Sequence, residues 1–200
     1  MRKLIFIGLI FWYHSLGAGI LGIFVSGGYS FPGSPMDFAD SWEAGLNYGG
    51  GIICTPFSTF GIRAVFDYNE FKLNADKYKE SHKQEPSAII QGGSTIIMSG
   101  SLGVKLSPLM PIPFRPYFTA ELGGIKKTCE DITIRASTAD TLVTGDFEIV
   151  PSILAFGGGI EFSYSSFSDV FFEGGYRICF TTISGWTAYA PIRLGVKVKF

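Results

Sequence analysis

Eight stretches of this chain alternate large apolar residues with small or charged ones, and the connections between them alternate between short and long. The stretches run approximately 20–31, 42–54, 58–71, 95–106, 114–126, 147–163, 169–180 and 188–200, bounded by Gly, Pro, Asn, Asp and Ser. A period of two marks a strand with two unlike faces. Segment 42–54 sets Trp42, Ala44, Leu46, Tyr48, Gly50 and Ile52 against Glu43, Gly45, Asn47, Gly49 and Gly51. Segment 114–126 sets Phe114, Phe118, Ala120 and Leu122 against Arg115, Tyr117, Thr119, Glu121 and Gly123. Segment 169–180 sets Val170, Phe172, Tyr176, Ile178 and Phe180 against Phe171, Glu173, Gly175, Arg177 and Cys179. Eight strands closed in a ring leave a narrow interior, so the small and singly charged faces belong inside and the bulky ones outside.

The connections 54–58, 107–113 and 164–168 are short, whereas 32–41, 72–94, 127–146 and 181–187 are mostly longer and more polar. Short on one side and long on the other is the pattern of an up-and-down barrel in an outer membrane. Each segment reaches the roughly 9–11 residues that a tilted strand needs to cross a bilayer. Hydrocarbon tolerates no unpaired sheet edge, so the sheet must close. The expectation is an all-β fold: an eight-stranded antiparallel up-and-down transmembrane β-barrel with short periplasmic turns and longer extracellular loops. Pro116, Pro151 and Pro191 lack a ladder donor and are expected near strand starts, where that loss is tolerated. No helical periodicity stands out after the leader.

That leader opens with Met1-Arg2-Lys3, runs apolar from Leu4 to Tyr13 and ends in small residues around Ser15 and Gly17, the layout of a secretory signal peptide. Residues 1–18 are assigned to it and 19–200 to the barrel. Read as an uncleaved anchor, Leu4 to Val25 could also span a bilayer, but Gly17, Gly19, Gly22, Gly27 and Gly28 suit a strand better. No Cys follows the leader, so a lipoprotein anchor is not indicated. A formal charge of −1 without a long basic run argues against nucleic-acid binding. Cys54, Cys129 and Cys179 form no metal-ligand spacing; free thiols are expected, and only Cys129 and Cys179 lie near the same end of the strands. No cofactor or metal is expected.

The last strand, Leu194-Gly-Val-Lys-Val-Lys-Phe200, is similar to the aromatic-ended assembly signal of the small bacterial outer-membrane β-barrel family, the OmpA-like and OmpX-like porin-type domains. Gly27-Gly-Tyr-Ser-Phe-Pro and Asp37-Phe resemble that family's first strand and first loop. The resemblance covers essentially the whole mature chain. It implies export through the inner membrane, residence in the bacterial outer membrane, and recognition of Leu194, Val196, Val198 and Phe200 by the barrel-assembly machinery. Outer-membrane lipid is the implied surrounding and a monomer the implied state. With nothing after Phe200, a peptidoglycan-binding domain is not implied.

The inward ionisable residues are read as Glu43, Arg63, Asp67, Lys105, Arg115, Glu121, Glu161, Glu173, Arg177, Arg193 and Lys197. Arg63, Glu121, Glu173, Arg177 and Arg193 fall near mid-height; Lys105, Arg115, Glu161 and Lys197 fall nearer the short turns. A lone charge in a narrow low-dielectric lumen costs several kcal/mol, so these groups are expected to pair as an ion network filling the barrel. That makes the network a structural plug; the competing reading is a gate in a small pore or transporter for ions or small solutes.

Family relatives include lipid A acyltransferases and deacylases that use a His with Ser and an acidic residue. Here the one His after the leader, His82, lies beside Ser81 and Glu80 in the charged run 77–85. Sequence neighbours on a loop are not a fixed triad, so no enzyme is expected. The 72–94 and 127–146 loops keep partial alternation and are expected to extend the hairpins outward, where an extracellular partner could add a strand, as the resemblance implies.

Overall fold

The computed structural model describes residues 21–84, 87–109, 114–135, 140–143, 147–181 and 185–200. The expected leader, residues 1–18, lies outside them. Eight strands form the barrel: β1 (Leu21–Ser34), β2 (Gly45–Phe57), β3 (Phe60–Phe71), β5 (Thr95–Leu106), β6 (Phe114–Cys129), β9 (Phe147–Ser165), β10 (Ser168–Thr181) and β11 (Gly185–Lys199). Three short strands, β4 (Ile89–Gly92), β7 (Ile132–Arg135) and β8 (Asp140–Val143), make a separate antiparallel sheet in the order β4-β7-β8. Two short helices, α1 (Met36–Ser41) and α2 (Ala75–Ser81), sit in the first two long connections.

Every barrel neighbour is antiparallel, and β1 closes the ring by pairing with both β2 and β11. Followed once round the hydrogen-bonded pairs, the register runs from Pro32 through Tyr189, Arg177, Ala155, Glu121, Gly103, Arg63 and Ile53 to Gly22, ten residues from its start. With strand spacing about 4.8 Å and rise about 3.3 Å, that stagger sets a tilt of about 41° and a backbone radius of about 8 Å. Side chains from opposite walls therefore meet at the axis.

The two strand faces separate as their alternation dictates. Tyr117, Thr119 and Glu121 are buried while Phe118 and Leu122, between and beside them, are 67% and 66% exposed. Exposed aromatics mark both ends of the outer wall, with Phe66, Phe118, Phe156 and Phe172 between them. Phe57, Phe114, Phe162, Tyr164 and Phe200 ring the short-turn end; Tyr29, Tyr48, Tyr176, Phe180 and Trp186 ring the upper wall. Two aromatic belts bounding an apolar band are what a barrel needs at the two interfaces of a bilayer.

Several details differ from the sequence expectation. Pro191 lies well inside β11, and no β10 partner is paired to it; it faces Ser30 of β1 instead. Pro151 lies in β9 where the pairing with β6 skips a residue, passing from Gly123↔Ile153 to Ile125↔Val150. A bulge tolerates the missing donor. The last long-side connection is short, because β10 extends to Thr181 and β11 begins at Gly185. The two helices escape a period-based reading because each is under two turns and held by capping and packing: Asn74 Oδ1 accepts from the backbone N–H of Asp76 and Lys77.

Candidate functional site

The lumen is layered, and the layering follows from the register. Its central layer joins three guanidiniums, Arg63, Arg177 and Arg193, to three carboxylates, Asp67, Glu121 and Glu173. Arg63 reaches Glu173 at 2.8 Å and Glu121 at 3.1 Å. Arg193 contacts Glu173 through Nε at 3.0 Å and also binds Asp67, which in turn holds Arg177. The Tyr117 hydroxyl donates to Glu173 at 2.9 Å, and the Ser101 hydroxyl donates to Glu121 at 2.8 Å. All six ionic groups are buried. Equal numbers of opposite charges, each with more than one partner, meet the condition under which burial of charge is tolerable.

A second layer lies towards the short turns. Glu161 binds both Lys105 and Lys197; Asp169 binds Lys197 at 2.8 Å, Lys199 at 2.7 Å and Arg115 at 3.5 Å. Arg115 also donates to Ser163 at 2.6 Å, with part of its side chain open to the rim. Between the two ionic layers pack Phe24, Ile53, Val65, Tyr117 and Phe171. The Lys105 ammonium stands 4.1 Å from the Tyr117 ring centroid, and the Arg63 guanidinium 5.0 Å from that of Phe24. A cavity of about 20 Å³ beside Lys105, Glu161 and Lys197 and another of about 10 Å³ beside Glu121 and Arg177 remain. Each has room for about one water.

Above the central layer, Ser30 and the Asn47 amide both donate to Asn69 Oδ1 at 2.7 Å, and the Asn69 amide donates to the Tyr189 hydroxyl at 3.3 Å. Phe71, Ile97, Ile125, Ile153, Cys179 and Tyr189 then form an apolar layer into which α1 lowers Phe38. Phe38 meets Phe71 edge-on at 5.1 Å and Trp42 at 5.6 Å.

Room for the bulky interior groups comes from glycine directly across the strand pair. Gly103 is paired with Glu121, and a Cβ there would come within 2.5 Å of Glu121 Cγ. Gly195 is paired with Phe171, where a Cβ would meet the ring at 2.3 Å. Close approach, not turn formation, explains these inward glycines.

Most residues expected in the lumen network are brought together there: Arg63, Asp67, Lys105, Arg115, Glu121, Glu161, Glu173, Arg177, Arg193 and Lys197. Glu43 is the correction. It is exposed before β2 begins, and its carboxylate accepts from the Asn74 amide at 2.7 Å. Trp42, expected on the outer face, is instead half-buried beside Phe38 with its indole N–H donating to Gly93 O at 2.8 Å. Both precede the strand because α1 runs to Ser41 and Trp42 caps its C-terminal end; an isolated bridge pairs Trp42 with Leu73, and the Glu43 N–H donates to Lys72 O at 2.9 Å. Asp169 and Lys199 share the inward parity but are absent from the sequence expectation; parity on β10 and β11 was the available signal. Leu194, Val196 and Val198 lie on the outer face of β11, and Phe200 is exposed at the short-turn end.

On the long-loop side, α2 packs Tyr78 against Ala88, just before the small sheet, and against Ile132 and Ile134 within it. Burial, with Asp37 nearby, raises the Tyr78 phenol above its ordinary value. The Ser41 and Ser81 hydroxyls lie 3.1 Å apart and the Asn74 N–H donates to Ser41 O at 2.8 Å, so this unit is tied to α1. His82 stacks on Tyr78, with Nδ1 3.0 Å from Ser81 Oγ and 3.2 Å from Tyr78 O, contacts that close the helix end. Cys54, Cys129 and Cys179 are free; Cys129 Sγ accepts from the Thr95 hydroxyl at 3.5 Å. Among the described residues no His/Cys/Asp/Glu group is arranged to hold a metal ion.

No family model matches the chain, and no curated protein matches it in sequence. Solved structures match its shape. Neisserial surface protein A superposes with a TM-score of 0.53 at 14% identity, over 90% of this chain and 97% of that one. Ail, the attachment invasion locus protein of Yersinia pestis, superposes with a TM-score of 0.54 at 12% identity, over 92% and 99%. Ail in complex with the heparin analogue sucrose octasulfate gives 0.51 at 11% identity. The fold is that of the eight-stranded outer-membrane β-barrels.

Proposed function

We propose that this chain is an integral outer-membrane protein of structural and surface-interaction type, exported through the inner membrane, with a lumen closed to solutes by its own side chains. The observation that carries the reading is the inversion of its faces: balanced ion layers inside a ring about 8 Å in radius, and bulky apolar residues between two aromatic belts outside. A closed ring removes every sheet edge, which hydrocarbon requires. In this reading β11 meets the assembly machinery through Leu194, Val196, Val198 and Phe200, and lipid covers the outer face.

The plug reading rests on size. Cavities of about 20 and 10 Å³ beside the charges accommodate single waters rather than a hydrated ion stream. Planar bilayers containing the purified barrel are expected to show no steady single-channel conductance, and Glu121→Ala none either; stepwise conductance that rises in Glu121→Ala establishes the gate instead. Association with the outer-membrane fraction and a mobility shift between unheated and heated gels test the barrel itself. Absence of both sinks the membrane reading.

The outward sheet β4-β7-β8 supports an extracellular partner, because β4 and β8 end that sheet and carry backbone groups on their outer sides. Ail, of the same fold, has been solved with a heparin analogue. Replacing residues 130–146 by a short turn should abolish binding of expressing cells to host-cell or matrix surfaces while the gel shift persists. Unchanged binding refutes the partner role. The reading assigns no catalytic step.

A further inference from the structure

The ion layers balance only inside the wall. In the lower layer Lys105 and Lys197 offset Glu161 and Asp169, all four buried. Two more cations stand at the rim without a further acid: the side chains of Arg115 and Lys199 are 37% and 17% exposed. The adjoining turns do not compensate, since 54–58, 107–113 and 164–168 contain no Asp, Glu, Lys or Arg. The side chains of the short-turn mouth therefore carry two positive charges in excess.

Both rim cations lean on one carboxylate. Lys199 Nζ holds Asp169 Oδ1 at 2.7 Å, and Arg115 Nη2 reaches Asp169 Oδ2 at 3.5 Å. Lys197 already takes that second oxygen at 2.8 Å. One negative charge is thus divided among three cations, and Arg115 has the weakest share, its contact lying beyond the usual hydrogen-bond range. A guanidinium carries five N–H donors in a planar fork. The contacts of Arg115 with Ser163 Oγ at 2.6 Å and with Asp169 both run through Nη2, so its Nε and Nη1 donors are not spent on them. Strands β6, β9, β10 and β11 are successive neighbours, which sets Arg115, Ser163, Asp169 and Lys199 along one arc of the mouth. Ser163 is exposed there and accepts from Arg115, leaving its own O–H to donate.

The chemistry of this arc selects its ligand. A carboxylate offers two oxygens and one charge; a phosphate group offers at least three strong acceptor oxygens and about −1.5 to −2 of charge at neutral pH, matching the excess. The Arg fork engages phosphate bidentately, and Lys adds a point charge. Low-dielectric walls around a mouth of one sign focus its field and concentrate anions there.

We propose that the short-turn mouth binds one phosphate group between Arg115 and Lys199, with the Ser163 hydroxyl as a further donor. The group is supplied free in solution or as a lipid headgroup. Placing the mouth in the periplasm rests on the membrane reading above; the site in the folded barrel does not. Isothermal titration of the purified barrel in neutral detergent with inorganic phosphate, at ionic strength held constant with sodium chloride, should give one site per barrel. Arg115→Gln and Lys199→Gln should each weaken it at least tenfold. Lys77→Gln, exposed on α2 at the opposite end, should match wild type. The gel shift certifies folding, and either rim variant suffices if the other loses it. In a second arm the barrel is mixed with phosphatidic acid in the same detergent, and mass spectrometry of the intact protein counts the lipid retained. Lipid held by wild type and lost from the rim variants supports the site with a headgroup as its source, and phosphate binding alone supports the free anion. No saturable binding in either arm, or equal binding by a folded rim variant, overturns the site. Binding by a barrel that does not fractionate with outer membranes keeps the site and refutes the membrane reading, so the two failures are told apart.

Discussion

Replacing Glu173 by Ala removes the most connected anion of the central layer. Its carboxylate meets Arg63 at 2.8 and 3.4 Å, Arg193 Nε at 3.0 Å and the Tyr117 hydroxyl at 2.9 Å. Afterwards Asp67 and Glu121 alone face Arg63, Arg177 and Arg193. Asp67 is already shared by two arginines, and Glu121 is 3.1 Å from Arg63 but 3.9 Å from Arg177. One buried guanidinium charge is left in excess. Removing one partner of a buried pair costs about 3–5 kcal/mol, or roughly two to three and a half decades in the unfolding equilibrium. Urea titration in lipid vesicles, read by the heated and unheated gel forms, should show that loss. Adding Arg193→Ala to Glu173→Ala restores neutrality, so the double variant should lose less than the sum of the singles by at least about 1 kcal/mol. Strict additivity, or a Glu173→Ala cost no larger than that of lipid-facing Leu194→Ala, refutes the charge-balance argument.

Bromine-labelled lipid should quench Trp186, exposed on the upper belt, and spare Trp42, half-buried beside Phe38; single-Trp variants made by Phe substitution separate the signals, and equal quenching contradicts the placement. Phe38→Ala empties contacts to Phe71 and Trp42 and should cost about 3–5 kcal/mol of local packing, seen as faster proteolysis of the 72–94 connection with the gel shift retained. Because folding raises the Tyr78 phenol, the folded state favours its protonated form. That stabilisation is complete below the ordinary value of 10.0 and is lost as pH climbs past it. The difference between the ultraviolet phenolate titrations of wild type and Tyr78→Phe should therefore be a component that ionises above 10.0, and a difference component centred at 10.0 refutes the burial argument.

Much of the molecule was legible along the chain because strand faces are a local property. Phe118 and Glu121 point to opposite sides whatever their partners, since consecutive side chains alternate across a pleated strand. Counting residues up from the short turns separated the mid-height from the lower charges, and the alternation extends to Asp169 and Lys199 at the strand ends, which the sequence expectation lacked. It failed at Glu43 and Trp42, where alternation continues past the strand into a segment governed by α1 and by the Asn74 cap. It failed also at Pro191, because the tolerance of a proline depends on which neighbouring strand needs its N–H.

By itself, then, the sequence determined the number of barrel strands, the inward and outward faces within them, and the side on which each loop lies, all consequences of a two-residue period and turn chemistry. Only the closed ring decided which charges meet. Arg63 and Glu173 are 110 positions apart and touch because a stagger of ten residues brings β3 and β10 to facing heights across the lumen. Only the ring, likewise, placed Gly103 opposite Glu121. Pair distances across a barrel depend on shear summed over every strand, and no single segment contains that sum.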